Sequence, residues 1–150
     1  MKIMLDTQIY DLIIDTQGMA ERLNQLSEEN KLTILCTHIQ EDELANIPDE
    51  QRKANIAQIT RKIVPTSGGV IGVSRIGLAT IGDGGIGGVR IGDIRSPSGS
   101  HVHDALIATT AARDADVLVT EDKRLANRMQ TFQTTCTVWG FSQFKEYVFQ

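Results

Sequence analysis

The chain has 150 residues, of which 41% are hydrophobic and 23% charged, and its formal net charge is −4. That describes one ordinary domain able to bury its own core, and no apolar run nears the roughly 18 residues that a membrane span requires. The acidic balance argues against a dedicated high-affinity nucleic-acid clamp but not against a nuclease, since bound cations reverse the charge of an acidic metal site locally.

Met1-Lys2-Ile3-Met4-Leu5 is too short for a secretory signal, so the cytoplasm is the expected compartment. Cys36 and Cys136 both fall within apparent strands, with no Cys or His nearby at zinc spacing. They read as reduced core residues without chemistry.

In chain order, Ile3-Met4-Leu5 is a short apolar strand that ends at Asp6-Thr7, and Ile9 to Ile14 continues as a first helix. A second helix is predicted from Thr16 to Ser27, with Met19, Leu23 and Leu26 on one face and a break at Asn30-Lys31. Leu32 to Cys36 is strand two. Thr37 is placed to cap a helix that runs to Ile47 and stops at Pro48. Asp49 opens a further helix in which Ile56, Ile59 and Ile63 recur at helical spacing. Ile63-Val64 before Pro65 also reads as a short edge strand.

Residues 67–100 change character. The dipeptide Ile-Gly recurs at 71, 76, 81, 86 and 91. A period of five suits neither strand nor helix, because the isoleucines would alternate faces on one and drift around the other. A glycine-rich hairpin or flap inserted in the domain is the expectation. Arg75, Arg90 and Arg95 stand in it against Asp83 and Asp93, enough for a few phosphate contacts.

A helix of good formers then runs from Asp104 to about Ala115, with Leu106, Ile107 and Ala111 on its apolar side. Val117 to Thr120 is a buried strand, Lys123 to Met129 a helix, and Thr135 to Trp139 the last strand. Ser142 would cap a terminal helix. Strands alternating with helices predict a three-layer α/β/α sandwich around a mostly parallel sheet of four or five strands.

The acids carry the chemistry. Singly, Asp6, Asp104 and Asp122 each read as helix caps, and Glu43, beside Glu41 and Asp42, reads as part of a solvated face. Jointly they say more. Asp6 and Asp122 each follow a strand at its C-terminal end, Glu43 lies about two turns into the helix leaving strand two, and Asp104 opens the helix leading to the next strand. In a doubly wound sheet those connections meet at one edge, near the topological switch point. Carboxylates gathered there repel unless cations neutralise them, and hard oxygen ligands suit Mg²⁺ or Mn²⁺. Such a site binds and polarises a phosphodiester and activates water.

Leu5-Asp6-Thr7, Thr37 through Glu43-Leu44, Asp104-Ala-Leu-Ile-Ala and Val119-Thr120-Glu121-Asp122 resemble, in order and spacing, the PIN domain. That family includes the VapC-like ribonuclease toxins of bacterial toxin–antitoxin pairs. The resemblance spans nearly the whole chain as a single PIN-like domain, 1–150. It implies metal-dependent endoribonuclease activity on RNA, with Asp6, Glu43, Asp104 and Asp122 as catalytic and metal-holding acids and Mg²⁺ or Mn²⁺ as cofactor. It prefers Glu43 over Glu41, and makes Thr120 and Thr7 supporting hydroxyls. It further implies an antitoxin partner and a homodimer. The Ile-Gly stretch departs from the usual short PIN domain and is either a substrate loop over the acids or an insertion with no substrate role. Two rival readings stay open, a catalytically idle PIN-like binding module and a nuclease acting on DNA.

Lys123 and Arg124, with Arg128 on the same helix, are candidates for substrate phosphates, and so is His103, whose ordinary reading is a surface loop histidine. Gly82 to Gly87 spells G-x-G-x-x-G, but no clear strand precedes it and no helix follows, so it fails as a dinucleotide loop. His101-Val-His103 lacks the further ligands of a zinc hydrolase. Asp6-Thr7-Gln8 lacks the second aspartate of a haloacid-dehalogenase phosphatase.

Overall fold

The computed structural model describes residues 1–67, 79–80, 99–132 and 134–150. Five short strands form one all-parallel sheet: β1 (Lys2–Leu5), β2 (Thr33–Thr37), β3 (Lys62–Val64), β6 (Val117–Val119) and β7 (Thr137–Trp139), in the spatial order β3-β2-β1-β6-β7. A separate two-residue pairing joins β4 (Thr66–Ser67) to β5 (Ala79–Thr80). Among the described residues there are seven helices: α1 (Thr7–Asp15), α2 (Met19–Glu28), α3 (His38–Ala45), α4 (Glu50–Ala57), α5 (Gly99–Asp114), α6 (Lys123–Gln130) and α7 (Phe141–Phe149). The predicted α/β/α class holds. The Ile-Gly repeat, with Arg75, Arg90 and Arg95, lies outside the described residues.

The strands divide their side chains between two cores by simple alternation. Ile3 and Leu5, Ile34, and Val117 and Val119 face a layer built from α1, α2, α3, α4 and α7, where Tyr10, Leu23, Leu44, Ile56 and Phe144 are buried. Met4, Leu35 and Leu118, the alternate positions, meet Ile107, Ala108, Ala111, Leu125 and Met129 of α5 and α6. Apolar runs rather than polar–apolar alternation follow directly, because both faces of the sheet are covered. No helix among the described residues is long and apolar enough to cross a membrane.

Several local expectations need correction. The second helix starts at Met19, not Thr16, because Gly18 takes a left-handed backbone (φ +75°) and separates it from α1. Ile63 does not extend an apolar helical face. α4 ends at Ala57, and Ile63 sits 51% exposed on the edge strand β3. Cys136 precedes β7 instead of lying in it, and both cysteines are free thiols. Ser142 is not the cap of the terminal helix. Gly140 holds that position and donates its N–H to Gln143 Oε1 (3.2 Å), while Glu121 Oε1 accepts the Phe141 N–H (2.5 Å), so the helix end is satisfied from the β6–α6 connection.

Candidate active site at the switch point

Reading outward from β1, the chain runs to β2 and β3 on one side, whereas β6 and β7 lie on the other. The reversal of strand order therefore falls between β1 and β6, which pair as Leu5↔Val119 at their C-terminal ends. Asp6 and Asp122 leave those two strands, so both are delivered to the edge where open α/β sheets build their sites.

The acid cluster comes together as expected. Asp6, Glu43, Asp104 and Asp122 line one cavity of about 480 Å³, with Thr7, Gln8, His103, Ile107 and Arg124 completing its wall. Four separate segments supply the acids: the β1–α1 turn, α3, α5 and the β6–α6 turn.

Asp6 occupies the N-cap position of α1, yet its carboxylate makes no capping hydrogen bond. Its Oδ2 instead accepts from the Thr120 hydroxyl (2.8 Å), and that same hydroxyl accepts the Asp122 N–H (3.0 Å). Thr120 is buried and so fixes the two strand-end acids to each other. Asp104 is not a cap either. α5 begins at Gly99, which places Asp104 inside the helix and frees its side chain for the cavity. For Asp122 the ordinary reading is partly right, because its Oδ1 caps α6 by accepting the Arg124 N–H (2.8 Å).

Glu43 is not part of a solvated face. It reaches His103 on α5, with Nδ1 and Oε1 2.9 Å apart and both side chains about two-thirds buried. His103 is thus a helical residue of the cavity wall, not a loop histidine; the side chain of His101 is outside the described set. Lys123 is exposed at the start of α6 and is not among the lining residues, nor is Arg128, whereas Arg124 is.

Electrostatics register the crowding. Burial raises the Asp6 carboxyl above the ordinary aspartate range, against the lowering effect of the Thr120 hydroxyl and the Thr7 backbone, and the Asp122 and Glu43 charges push it further up. Asp104 is raised first by burial, then by Asp122 and Asp6, with Arg124 opposing. Thr7 Oγ1 is buried without a hydrogen-bond partner among the described residues.

Gln40 was missed as a positioning residue. It is fully buried, its Oε1 accepts the Thr37 N–H (3.0 Å), and its amide donates to the carbonyl of Leu5, one residue before Asp6. That amide staples the start of α3 to the end of β1 and so brings Glu43 to the same edge. Its sequence signal was legible: Thr37-x-x-Gln40 is a capping box, and both of its reciprocal hydrogen bonds form.

The donor set is all hard oxygen plus one imidazole, which is the chemistry of Mg²⁺ or Mn²⁺. Among the described residues, however, no three Asp, Glu, His or Cys side chains stand close enough together to enclose an ion. The arrangement fits a hydrated ion held by one or two carboxylates, as Mg²⁺ commonly is, rather than a closed protein cage. No family model matches the chain, and no curated protein or solved structure does.

Proposed function

We propose that the chain is a divalent-metal-dependent endoribonuclease hydrolysing RNA phosphodiester bonds. One observation carries this reading: four carboxylates from four segments line one cavity at the switch point, two of them raised by burial and mutual charge. Acids crowded at such a cost to their ionised forms are naturally relieved by a cation. The resemblance to PIN domains adds the substrate class, with RNA as the polymer and an antitoxin and a second copy of the chain as partners.

In this reading Asp6, Glu43, Asp104 and Asp122 would share one or two hydrated Mg²⁺ or Mn²⁺ ions, and the bound metal would supply polarisation of the phosphodiester and activation of water. Thr120 fixes Asp6 relative to Asp122, and Thr7 Oγ1 offers an uncommitted hydroxyl at the same wall. His103 holds Glu43 toward the other acids.

A second reading has its own support. The absence of a three-ligand cluster among the described residues, and the use of Asp122 as a helix cap, favour a catalytically idle binding module with the same fold. Incubating single-stranded RNA and matched DNA with Mn²⁺, Mg²⁺ or EDTA, alongside Asp104→Asn, separates the readings. Metal-dependent RNA cutting lost in Asp104→Asn is the expected result. DNA cut in preference would move the substrate class, and no cutting of either polymer would favour the idle module.

A further inference from the structure

We propose that Arg124 is the substrate-phosphate contact of this cavity, an inference that rests on the nuclease reading above. The sequence offers Lys123, Arg124 and Arg128 on one helix without ranking them. The cavity does rank them, because Arg124 is the one of the three in its wall.

Its side chain is 72% exposed, and its Nε stands 3.9 Å from Asp122 Oδ1, too far for a hydrogen bond. The bond that fixes Arg124 to Asp122 is made by the backbone N–H, at 2.8 Å. The main chain is therefore anchored to an acid of the site, and the guanidinium keeps its planar fork of donors for another anion.

Three other described arginines show what commitment looks like. Arg61 is locked on Glu41, Arg52 on Asp11 and Asp15, and Arg113 on Asp114 and the Pro65 carbonyl. A cavity walled by four acids repels an anionic backbone, and a cation at its rim with an open fork suits bidentate capture of a phosphate oxygen pair. The substrate backbone would then enter along the α6 side.

The test is fluorescence anisotropy with a short labelled single-stranded RNA, in EDTA and in Ca²⁺, as a function of salt. Wild type, Arg124→Ala, Arg124→Lys and the charge-matched Lys145→Ala on α7 are compared, and metal-dependent cleavage is scored in parallel. Arg124→Ala should weaken binding about tenfold and reduce the log–log salt slope by about one, as expected for one lost phosphate contact. Arg124→Lys should keep the slope and recover part of the affinity. Lys145→Ala should match wild type. If Arg124→Ala and Lys145→Ala behave alike while the wild type still cuts RNA, the Arg124 assignment is overturned and the nuclease reading stands. If the wild type neither binds nor cuts RNA, both fall together.

Discussion

Glu41 and Glu43 lie two residues apart on α3, in one acidic turn, and meet opposite fates. Glu41 forms a two-pronged pair with Arg61, through Nε and through Nη2 at 3.1 Å, and this pairing holds its carboxyl below the ordinary range. Arg61 in turn caps the carbonyls of Ile56 and Ile59 and lies over the Tyr10 ring at 5.7 Å. Every charge in that corner has a partner, and its work is to tie α3, α4 and α1 together. Glu43 turns instead to a cavity of three other acids, where the wall holds one histidine and one loosely held arginine. Charge balance, not charge density, separates an acid that holds the fold from an acid available for chemistry.

That contrast can be broken from either side. The largest effect is expected for Asp104→Asn, which should lower metal-dependent RNA cleavage by about a thousandfold or more, the scale of several kcal/mol of lost transition-state stabilisation. Next comes Glu41→Gln. It should leave the cleavage rate of the folded protein unchanged while destabilising it by about 1–3 kcal/mol in urea melts, because a charged hydrogen-bond partner of the largely buried Arg61 is removed. Similar activity losses from Glu41→Gln and Asp104→Asn would erase the distinction. His103→Ala should be milder, weakening Mn²⁺ affinity about tenfold through release of Glu43, with His103→Asn or His103→Gln restoring part of it.

The smallest effect concerns pH. Asp6 and Asp104 are raised in the folded state, so between the ordinary aspartate value of 3.8 and their raised values the folded chain binds more protons than the unfolded one. Stability from this source is present below that window and is lost as pH climbs through it. In EDTA, Asp104→Asn should therefore melt above wild type at neutral pH, and the gap should close as the acids protonate. A variant less stable than wild type at neutral pH would contradict the crowding.

Much of this was legible because the strands are short apolar runs that end in aspartates. The doubly covered sheet makes Val117 to Val119 stand out, and Asp122 follows from it. The acidic turn by itself does not separate Glu43 from Glu41; the resemblance prefers Glu43, and the physical reason lies in the fold, where Arg61 returns to α3 from the far end of α4 and takes Glu41. His103 was misread because nothing in the glycine- and serine-rich approach marks a helix start at Gly99, and without that start Asp104 looks like a cap. Gln40 carried a clear capping-box signal, but only the fold shows that its amide also reaches β1.

If the acid cavity binds a divalent cation through Asp104, titrating Mn²⁺ into wild type and Asp104→Asn by calorimetry at neutral pH will show it. Saturable binding to wild type, displaced by Mg²⁺ and weakened about tenfold or more by the substitution, is the expected result. Absence of binding to wild type, or equal binding to both proteins, would contradict it.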